Sequence, residues 1–300
     1  MKGQGKGYTA RHVPDQAGRR FLITGASAGI GWEAARVLAL RGAEVILACR
    51  DVAKGDAARA AILAEAPGAA LSVLLLDLAD LASVRAAAAQ VERIDVLINN
   101  AGVMNPPLQR TAQGFELQFG TNHLGHFALT GLLLPKISGA DPRVVTVASL
   151  AHKRGAIDFA NLDGARGYSR FRFYGQSKLA NALFFAELDR RLRAAGSPVR
   201  SMGCHPGISG TTLGRFSLFD RAGLALASVL FHRPPEAAVP TLQAACDPDM
   251  LGGAYVGPQG FLEASGPSGP ARRSRAARDP ALAARLWQVS VELTGVDPGI

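Results

Sequence analysis

Residues Phe21–Gly31 constrain the fold of this chain more than any other segment. They read Phe-Leu-Ile-Thr-Gly-Ala-Ser-Ala-Gly-Ile-Gly, a short apolar strand that runs into a glycine-rich turn and then into a stretch of helical length. The spacing G-x3-G-x-G permits a tight turn, close approach of the backbone to a pyrophosphate, and a helix amino terminus aimed at that anion. A plain turn is the alternative, but the strand before and the helix after are the context that the motif requires. The segment therefore predicts a dinucleotide-binding turn, with contacts from Gly25, Ser27, Gly29, Ile30 and Gly31.

Apolar runs alternate with segments of helical length along most of the chain. The runs predicted as strands are Phe21–Thr24, Glu44–Ala48, Leu71–Leu76, Ile94–Ile98, Val144–Ala148 and Val199–Gly203. The helical segments include Gly31–Arg41, Val52–Ala66, Leu81–Val91, Phe115–Leu134 and Tyr174–Ala195. Short strands that are apolar on both faces are typical of buried parallel sheets. The pattern predicts an α/β fold in a single domain, a Rossmann-like doubly wound parallel sheet of about seven strands with helices on both faces.

Four segments are predicted to differ from this regular core. Residues 1–18 are polar and glycine-rich and are expected to form a flexible extension, so that the domain spans residues 19–300. Residues 208–235, apolar in their second half, are predicted to form a lid over an apolar substrate pocket, with a buried helix or a dimer contact as the alternative. Residues 265–278 are rich in Gly, Pro, Ser and Arg and are predicted to be a mobile loop, and residues 279–294 are predicted to be a closing helix.

Composition and charge narrow the classes of function. The formal net charge is +9, which we interpret as a solvated, arginine-rich surface, with attraction to an anionic cofactor or a membrane surface as the alternative. Nucleic acid is not an expected partner, because basic and aromatic residues are not interleaved. The longest late apolar stretch is about half of what a membrane span needs, and the amino terminus lacks the apolar core of a signal peptide. The three cysteines are far apart and form neither a zinc nor a disulfide pattern. We therefore expect a cytoplasmic protein without an integral membrane segment.

Arg50 and Asp51, at the end of the second predicted strand, bear on the choice of cofactor. The residue about 20 positions past the glycines usually distinguishes the two nicotinamide dinucleotides. An acidic side chain there binds a ribose 2′-hydroxyl, whereas arginine accommodates a 2′-phosphate in a bidentate contact. Arg50 therefore predicts NADP(H). Asp51 leaves NAD(H) as the alternative if its side chain turns inward, unless it caps the next helix.

Polar residues follow the third and fourth predicted strands. Asp77 and Leu78 end the third strand, and Asn99, Asn100, Ala101 and Gly102 end the fourth. Ligands bind at the carboxyl ends of parallel strands near the switch point, so both groups are expected where an adenosine would lie. A helix cap at Asp77 and a simple turn at the asparagines are the alternatives.

Tyr174 and Lys178 suggest the chemistry. A tyrosine titrates near ~10 and is a poor acid–base group at neutral pH. A lysine four residues later on a helix lies on the same face, and its charge favours the phenolate and lowers the pKa of the phenol. A shift of about 3 units needs roughly 4 kcal/mol, so a second positive source, such as a nicotinamide ring, is expected to contribute. Together with the dinucleotide-binding turn, the pair predicts hydride transfer with proton exchange at Tyr174. The alternative is that Tyr174 is an aromatic residue of the core and that Lys178 is a solvated helix residue.

Taken together, these motifs resemble the short-chain dehydrogenase/reductase family over about residues 20–260. The matching elements are Thr24-Gly-Ala-Ser-Ala-Gly-Ile-Gly31, Asp77-Leu78, Asn99-Asn-Ala-Gly102, Asn122, Ser149, Tyr174-x3-Lys178 and His205-Pro-Gly207. The runs Leu47–Asp51, Thr121–Phe127, Ser149–His152 and Tyr174–Asn181 are similar to retinol-dehydrogenase-like and WW-domain-oxidoreductase-like members. Such proteins have one Rossmann-like domain and interconvert carbonyls and alcohols, often on apolar substrates.

The resemblance implies roles for individual residues. Asn122, Ser149, Tyr174 and Lys178 would form the catalytic tetrad, in which Tyr174 moves the proton and Ser149 steadies the substrate oxygen. Lys178 would hold the nicotinamide ribose, and Asn122 would maintain a water link to it. The residues implied to line the nicotinamide are Pro206, Gly207, Ile208 and Thr211, and the Ser209-Gly210 pair places the Thr211 contact in doubt. The resemblance also implies a homodimer or a homotetramer.

The sequence leaves rival functions open. A dinucleotide-sensing regulator without catalysis could use the same fold, although it would not need the Tyr/Lys pair. An epimerase or dehydratase could use that pair with a tightly held cofactor. Ser149 lacks the G-x-S-x-G context of a serine hydrolase. The histidines at 123, 126, 152 and 205 lie on different elements and are interpreted as packing or loop residues, so no metal site is expected.

Overall fold

The computed structural model describes residues 7–208 and 233–300. Within these ranges the strands form one eight-stranded sheet with helices on both faces. The strand order is β3-β2-β1-β4-β5-β6-β7-β8. Neighbouring strands are parallel from β3 through to β7, and β8 is antiparallel to β7. The order reverses between β1 and β4, which creates a switch point at their carboxyl ends.

The strands are β1 Arg20–Thr24, β2 Glu44–Cys49, β3 Leu71–Leu75, β4 Val96–Asn99, β5 Arg143–Val147, β6 Arg200–Cys204, β7 Tyr255–Pro258 and β8 Ser268–Pro270. The helices are α1 Gly29–Leu40, α2 Val52–Glu65, α3 Leu81–Gln90, α4 Leu117–Phe119, α5 Gly125–Leu133, α6 Arg170–Ala194, α7 Pro234–Ala237, α8 Val239–Cys246 and α9 Pro280–Thr294. The six predicted strands are present with shifts of one or two residues at their ends.

Alternate residues of the strands enter different cores, because successive side chains point to opposite faces of a sheet. Phe21 and Ile23 pack into a core shared with α1, α2 and α8. Leu22, between them, packs on the other face with α3, α5 and α6. This two-sided burial explains why the predicted strands are apolar throughout, and it confirms the doubly wound fold.

The predicted helix over 115–134 is interrupted by a π turn, Gly120–Leu124, between α4 and α5. Glycines permit close packing on both sides of this turn. A Cβ at Gly120 would lie 2.3 Å from Thr111 Cγ2, and one at Gly125 would lie 2.4 Å from the Leu78 carbonyl oxygen. The turn presents Asn122 inside the protein, where it is fully buried. π turns within helices are frequent at functional sites.

The closing helix α9 covers α5 and α6. The Trp287 ring lies 5.1 Å from that of Phe127 and 6.1 Å from that of Phe184, and the Arg191 guanidinium lies over it at 4.5 Å. Asp279 caps the helix by accepting hydrogen bonds from the amides of Ala281 and Leu282. The predicted helix over 279–294 is thus present and begins at Pro280.

Two segments differ from the prediction. The expected mobile loop over 265–278 contains β8 and a 3-10 turn over Ala276–Arg278, and Ser268 and Ala277 are both buried. The expected flexible extension pairs with the same strand, since the amides of Tyr8 and Ser268 each donate to the other's carbonyl oxygen. In the same segment Val13 is buried. Both differences arise from pairing between distant parts of the chain, which local composition does not report.

None of the helices in the described ranges combines the length and the apolar character that crossing a membrane requires.

The Trp287→Ala variant tests the packing of α9. Its free energy of unfolding should fall by about 3–5 kcal/mol, because a large ring in a closed core leaves a cavity. Chemical denaturation measures the change. The matched control is Gln288→Ala, an exposed position on the same helix, which should change the free energy by less than about 0.5 kcal/mol. A small effect at Trp287 would show that α9 is not part of the core.

Candidate active site

A cleft of about 680 Å³ opens at the carboxyl ends of β1 to β4. Its walls carry eleven of the residues predicted for cofactor binding, namely Gly25, Ser27, Gly29, Ile30, Gly31, Arg50, Asp77, Leu78, Asn100, Ala101 and Gly102. Segments that are up to about 80 residues apart in the sequence therefore meet along one groove, as expected for the switch point of a doubly wound sheet.

The glycines of the turn are required by close contacts. Gly25 has a φ of +68°, and a Cβ there would lie 2.9 Å from Ala101 Cα. A Cβ at Gly31 would lie 2.5 Å from both Asn100 Nδ2 and the Gly25 carbonyl oxygen. Side chains at these positions would push the β1 turn away from the β4 end. The amino terminus of α1 points into the cleft. Its N-cap residue, Ala28, has no side chain that could accept a hydrogen bond, so the first amides of α1 are available to an anion.

The Thr24 hydroxyl joins the ends of β1 and β4 to the π turn. It accepts hydrogen bonds from the amides of Asn100 and Ala101, each at 2.9 Å, and lies 2.9 Å from His126 Nε2. Two accepted bonds use both lone pairs, so the hydroxyl proton goes to Nε2. The His126 proton is then on Nδ1, which donates to the Asn122 carbonyl oxygen at 2.9 Å. Burial lowers the pKa of His126 to about 4, consistent with this neutral ring.

Sequence reasoning placed Thr24 in the motif without a role and treated His126 as packing. A signal was available, because His126 lies four residues after Asn122 in Asn-His-Leu-Gly-His. Residues one helical turn apart face the same way. The sequence does not reveal that the Thr24 hydroxyl meets the other side of the ring.

Asp51 has side-chain contacts with its neighbours, whereas Arg50 has none among the described residues. Asp51 Oδ1 accepts from the Lys54 amide at 3.1 Å and caps α2, and its Oδ2 lies 3.3 Å from Lys54 Nζ. The backbone hydrogen bond from Lys54 leads the contacts that lower the pKa of Asp51. The alternative of a helix cap is therefore confirmed for Asp51. Arg50 lines the cleft, is exposed, and has no hydrogen bond or ion pair within the described residues.

The residues after β3 and β4 divide between the cleft and the core. Asp77 accepts from the Ala79 amide at 2.9 Å and lines the cleft, while Asp80 caps α3. Asn100 Nδ2 donates to the Thr24 carbonyl oxygen at 2.8 Å. Asn99 is fully buried, and its Nδ2 donates to Thr130 Oγ1 at 2.9 Å. The Asn99 side chain therefore points into the core, so a cofactor contact at this position would come from its backbone, and the predicted contact of Asn99 stays a prediction.

Ser149, Tyr174 and Lys178 come together between β5 and α6. Ser149 follows the end of β5, its hydroxyl accepts from the Ala151 amide at 3.2 Å, and its side chain is near enough to Tyr174 to lower the pKa of that phenol. Lys178 Nζ donates to the Val147 carbonyl oxygen at 3.2 Å and lies 5.9 Å from the centre of the Tyr174 ring. Lys178 is only 4% exposed. The helix begins at Arg170, so Tyr174 lies one turn inside α6 rather than at its start.

The charges of this cluster differ from the prediction. Burial raises the pKa of Tyr174, and the Ser149 side chain offsets this only in part. Burial also lowers the pKa of Lys178 to about 8. Both shifts favour the neutral forms, because removing an ion from water is unfavourable. The expected depression of the Tyr174 pKa is therefore not produced by the protein's own groups.

Asn122 holds the loop after β4 with its side chain. Its Oδ1 accepts from the Val103 amide at 2.8 Å, and its Nδ2 donates to the Val103 carbonyl oxygen at 2.9 Å and to Ser177 Oγ at 3.0 Å. Since Ser177 precedes Lys178 on α6, Asn122 connects the β4 loop to the helix that carries the Tyr/Lys pair.

The residues implied to line a nicotinamide are described as far as Ile208. Pro206 and Gly207 are half-buried after β6, Gly207 has a φ of +76°, and the Ile208 amide donates to the Ala264 carbonyl oxygen at 2.9 Å. Thr211 and most of the predicted lid over 208–235 lie outside the described residues.

The four histidines make separate contacts. His123 Nε2 lies 2.9 Å from Ser290 Oγ, and burial lowers the pKa of His123 to about 3. His126 contacts the Thr24 hydroxyl, His152 contacts the Ser149 carbonyl oxygen, and His205 accepts from the Gly207 amide. Within residues 7–208 and 233–300, no three His, Cys, Asp or Glu side chains are grouped to hold a metal ion.

Comparison with known proteins agrees with this geometry. The pattern of the short chain dehydrogenase family matches residues 19–218. Retinol dehydrogenase 11 of Homo sapiens is 43% identical over 286 residues, which cover 93% of this chain and 86% of that protein. Polyprenol dehydrogenase of Mus musculus is 41% identical over 300 residues, covering 96% and 87%. A crystal structure of an uncharacterized protein from Mycobacterium Paratuberculosis is 44% identical, with a TM-score of 0.84, and covers 98% of this chain and 100% of that one.

Gly25→Ala tests the packing of the turn. The matched control is Gly18→Ala, where φ is +78° and nothing lies within 4 Å of the added Cβ. The control should lower the free energy of unfolding by about 1–2 kcal/mol, because an alanine is unfavourable in the left-handed backbone conformation. Gly25→Ala should add about 1–3 kcal/mol of steric strain to that loss. Denaturation of both variants measures the difference, and equal effects would contradict the close approach to Ala101.

Proposed function

Because the chain belongs to the short-chain dehydrogenase/reductase family, in its retinol-dehydrogenase-like subgroup, we propose that it interconverts a ketone or aldehyde and an alcohol on an apolar small molecule, with NADP(H) as its cofactor. Family membership makes the chain an oxidoreductase that uses a nicotinamide dinucleotide. The observation that carries the finer proposal is the cluster of Ser149, Tyr174 and Lys178, in which the buried Lys178 Nζ lies 5.9 Å from the centre of the Tyr174 ring.

The cleft fits a dinucleotide. Its volume lies within the range of about 300–1,000 Å³ that is usual for small-molecule sites. The closely packed glycines leave room for a ligand against the backbone, and the α1 amides face the position of a pyrophosphate. Asp77 and Asn100 to Gly102 would lie along the adenosine. Pro206, Gly207 and Ile208 would lie against the nicotinamide, with Thr211 in the same role.

Arg50 supports NADP(H) over NAD(H). Its guanidinium lies on the cleft at the end of β2 and has no acidic partner among the described residues. Asp51, the competing carboxylate, is engaged at the start of α2. An unpaired guanidinium at this position suits a 2′-phosphate, which it binds in a bidentate manner.

The bound dinucleotide supplies or accepts the hydride, and this chain's residues handle the proton and the oxygen. In reduction, the Tyr174 phenol donates its proton to the carbonyl oxygen, while the Ser149 hydroxyl holds that oxygen by a hydrogen bond. The raised pKa keeps Tyr174 protonated at neutral pH, as a proton donor must be. Lys178 has two further N–H groups beyond its bond to Val147, and these would hold the ribose.

Alcohol oxidation requires the Tyr174 phenolate, so the pKa of Tyr174 must fall in the complex. The Lys178 ammonium does not achieve this in the protein alone. We infer that the positive charge of an oxidised nicotinamide completes the stabilisation of the phenolate, since a nearby opposite charge favours an ionised form. Tyr174 would then titrate near neutral pH only in the oxidised complex.

The names of the relatives support an apolar substrate. Retinol dehydrogenase 11 and polyprenol dehydrogenase are named for alcohols with long hydrocarbon parts. The test is to mix the full chain with NADPH and a panel of apolar and polar ketones and aldehydes, and to follow nicotinamide absorbance. Steady oxidation with apolar carbonyls supports the proposal. Binding of NADPH without turnover indicates the dinucleotide sensor, and conversion of substrate without net NADPH consumption indicates an epimerase or dehydratase.

Tyr174→Phe should lower kcat by about 10²- to 10⁴-fold, because it removes the proton donor. The Kd for NADPH, measured by fluorescence titration, should stay close to that of the wild type. The matched control is Tyr168→Phe, whose hydroxyl donates to the Pro106 carbonyl oxygen outside the cluster. It should retain turnover. Wild-type turnover in Tyr174→Phe would contradict the assignment of the proton donor.

The pH profile should have opposite signs in the two directions. Reduction needs protonated Tyr174, so its kcat should decrease as pH rises through the raised pKa of Tyr174 in the reduced complex. Oxidation needs the phenolate, so its kcat should increase as pH rises through the lower pKa of Tyr174 in the oxidised complex. Without a dinucleotide, ultraviolet titration should show Tyr174 ionising above its ordinary pKa, because burial raises that pKa. A normal or lowered pKa in the free protein would contradict this account.

Arg50→Ala should weaken NADPH binding by about 10- to 100-fold and leave NADH binding nearly unchanged, since a hydrogen bond to a charged group contributes about 1.5–3 kcal/mol. Isothermal titration calorimetry measures both affinities. Arg59→Ala, which removes a positive charge from an ion pair with Asp56 on α2, is the matched control for charge alone. Equal losses for NADPH and NADH would contradict the preference for NADP(H).

A further inference from the structure

A short turn in the carboxyl-terminal part of the chain contacts both loops that border the candidate active site. We call residues Phe261–Ala264, which follow β7, the brace turn. Its Ala264 carbonyl oxygen accepts from the Ile208 amide at 2.9 Å. A Cβ at Gly207 would lie 2.3 Å from the same oxygen. The brace turn therefore packs directly on the loop that follows β6.

The Glu263 carboxylate connects that loop to the turn after Ser149. Its Oε2 lies 2.7 Å from Lys153 Nζ and 3.4 Å from His205 Nε2. Its Oε1 accepts from the Arg272 amide at 3.3 Å. Burial raises the pKa of Glu263, but the contacts with Lys153 and the Arg272 amide outweigh burial and hold it below its ordinary value. The bridging group is therefore a carboxylate at neutral pH.

His205 depends on this carboxylate. The ring is fully buried, and the Gly207 amide donates to its Nδ1 at 3.2 Å. Since burial lowers the pKa of His205 to about 4, the neutral ring carries its proton on Nε2. This N–H has no hydrogen-bond partner in the described residues, and the Glu263 oxygen is the acceptor that faces it. A buried donor without an acceptor is costly.

Lys153 belongs to the 3-10 turn Leu150–Arg154, which begins immediately after Ser149. His152, in the same turn, accepts from the Ser274 amide through Nε2 at 3.2 Å and so donates through Nδ1 to the Ser149 carbonyl oxygen at 2.6 Å. The carboxyl-terminal segment thus holds the Ser149 turn at two points, through Lys153 and through His152.

The backbone of the brace turn is strained. Leu262 has a φ of +52° and Glu263 a φ of +58°, although neither is glycine. The Phe261 and Leu262 side chains are 85% and 74% exposed, so their burial does not hold this conformation. Consecutive left-handed residues persist where surrounding contacts over-determine them, and the contacts of Glu263 and Ala264 are the ones present.

We propose that Glu263 is a positioning residue: by bridging Lys153 and His205, it holds the Ser149 hydroxyl and the Pro206–Gly207 loop in one fixed arrangement beside Tyr174. The proposal rests on the oxidoreductase function proposed above. Glu263 is not among the residues that line the cleft at β1 to β4. Loss of the Glu263 carboxylate loosens the Ser149 turn and the loop after β6, which must keep fixed positions for Ser149 to hold the substrate oxygen. The cleft at β1 to β4 stays intact.

The test uses Glu263→Gln, Lys153→Met and the double variant in the full chain. Glu263→Gln keeps the size and removes the charge. Each single variant should lower kcat by about 10- to 100-fold, because small misplacements of a catalytic group have effects of that size. The Kd for NADPH should change by less than about 2-fold, and the double variant should be no slower than the slower single variant. Additive losses would contradict a shared bridge.

A second measurement does not depend on turnover. Hydrogen exchange at the Ile208 amide, which bonds to the brace turn, should become at least about 10-fold faster in Glu263→Gln, while core strands such as β4 keep their protection. The matched control is Glu44→Gln, which removes a carboxylate from an ion pair with Arg20 at the amino ends of β1 and β2. It should alter neither kcat nor exchange at Ile208.

The two proposals fail in different ways. If the wild type turns over no carbonyl compound, the proposed function is wrong, and the exchange data alone decide whether Glu263 holds the loops. If the wild type is active and Glu263→Gln leaves both kcat and Ile208 exchange unchanged, the positioning role is wrong. Faster exchange throughout the chain would show a general loss of stability and would also contradict it.

Discussion

The geometry of the candidate active site depends on the hydrogen bonds of the Thr24 hydroxyl. This hydroxyl binds the amides of Asn100 and Ala101 and donates to His126, whose other nitrogen donates to the Asn122 carbonyl oxygen. One small polar group thus sets the distance between the glycine turn, the end of β4 and the π turn. All of these groups are buried or nearly so, and in such surroundings an unmade hydrogen bond is expensive. The cleft keeps its shape because no member of the set can shift alone.

Burial has two opposing consequences at the Tyr174 cluster. It fixes the side chains and excludes water, which strengthens any electrostatic contact with a ligand. It also raises the pKa of Tyr174 and lowers that of Lys178, which suppresses the charges that the chemistry uses. The protein alone is therefore arranged to donate a proton from a neutral phenol. Stabilising the phenolate requires a further positive charge, so the charge state of the site follows the redox state of the cofactor in our proposal.

The carboxyl-terminal segment shows how distant parts of the chain complete a local site. β8 pairs with β7 and with Tyr8, and the brace turn between the two strands reaches the Ser149 turn and the loop after β6. The composition of residues 265–278 predicts a loop, since Gly, Pro and Ser are common there. Amino-acid composition does not predict which hydrogen bonds a segment makes to other strands. Here such hydrogen bonds give part of the segment a strand conformation.

The sequence by itself determined the fold class, the order of strands and helices up to β6, and most of the residues that line the cleft. These depend on local signals: apolar runs, glycine spacing and the turn of a helix. Tertiary structure alone decided that Asn99 points into the core, that a π turn presents Asn122, and that Glu263 lies between Lys153 and His205. Tertiary structure also decided the direction of the Tyr174 pKa shift, because the burial of a side chain depends on every element packed around it. The position of Lys178 on the same helix face could be predicted, because it depends only on the geometry of the helical turn.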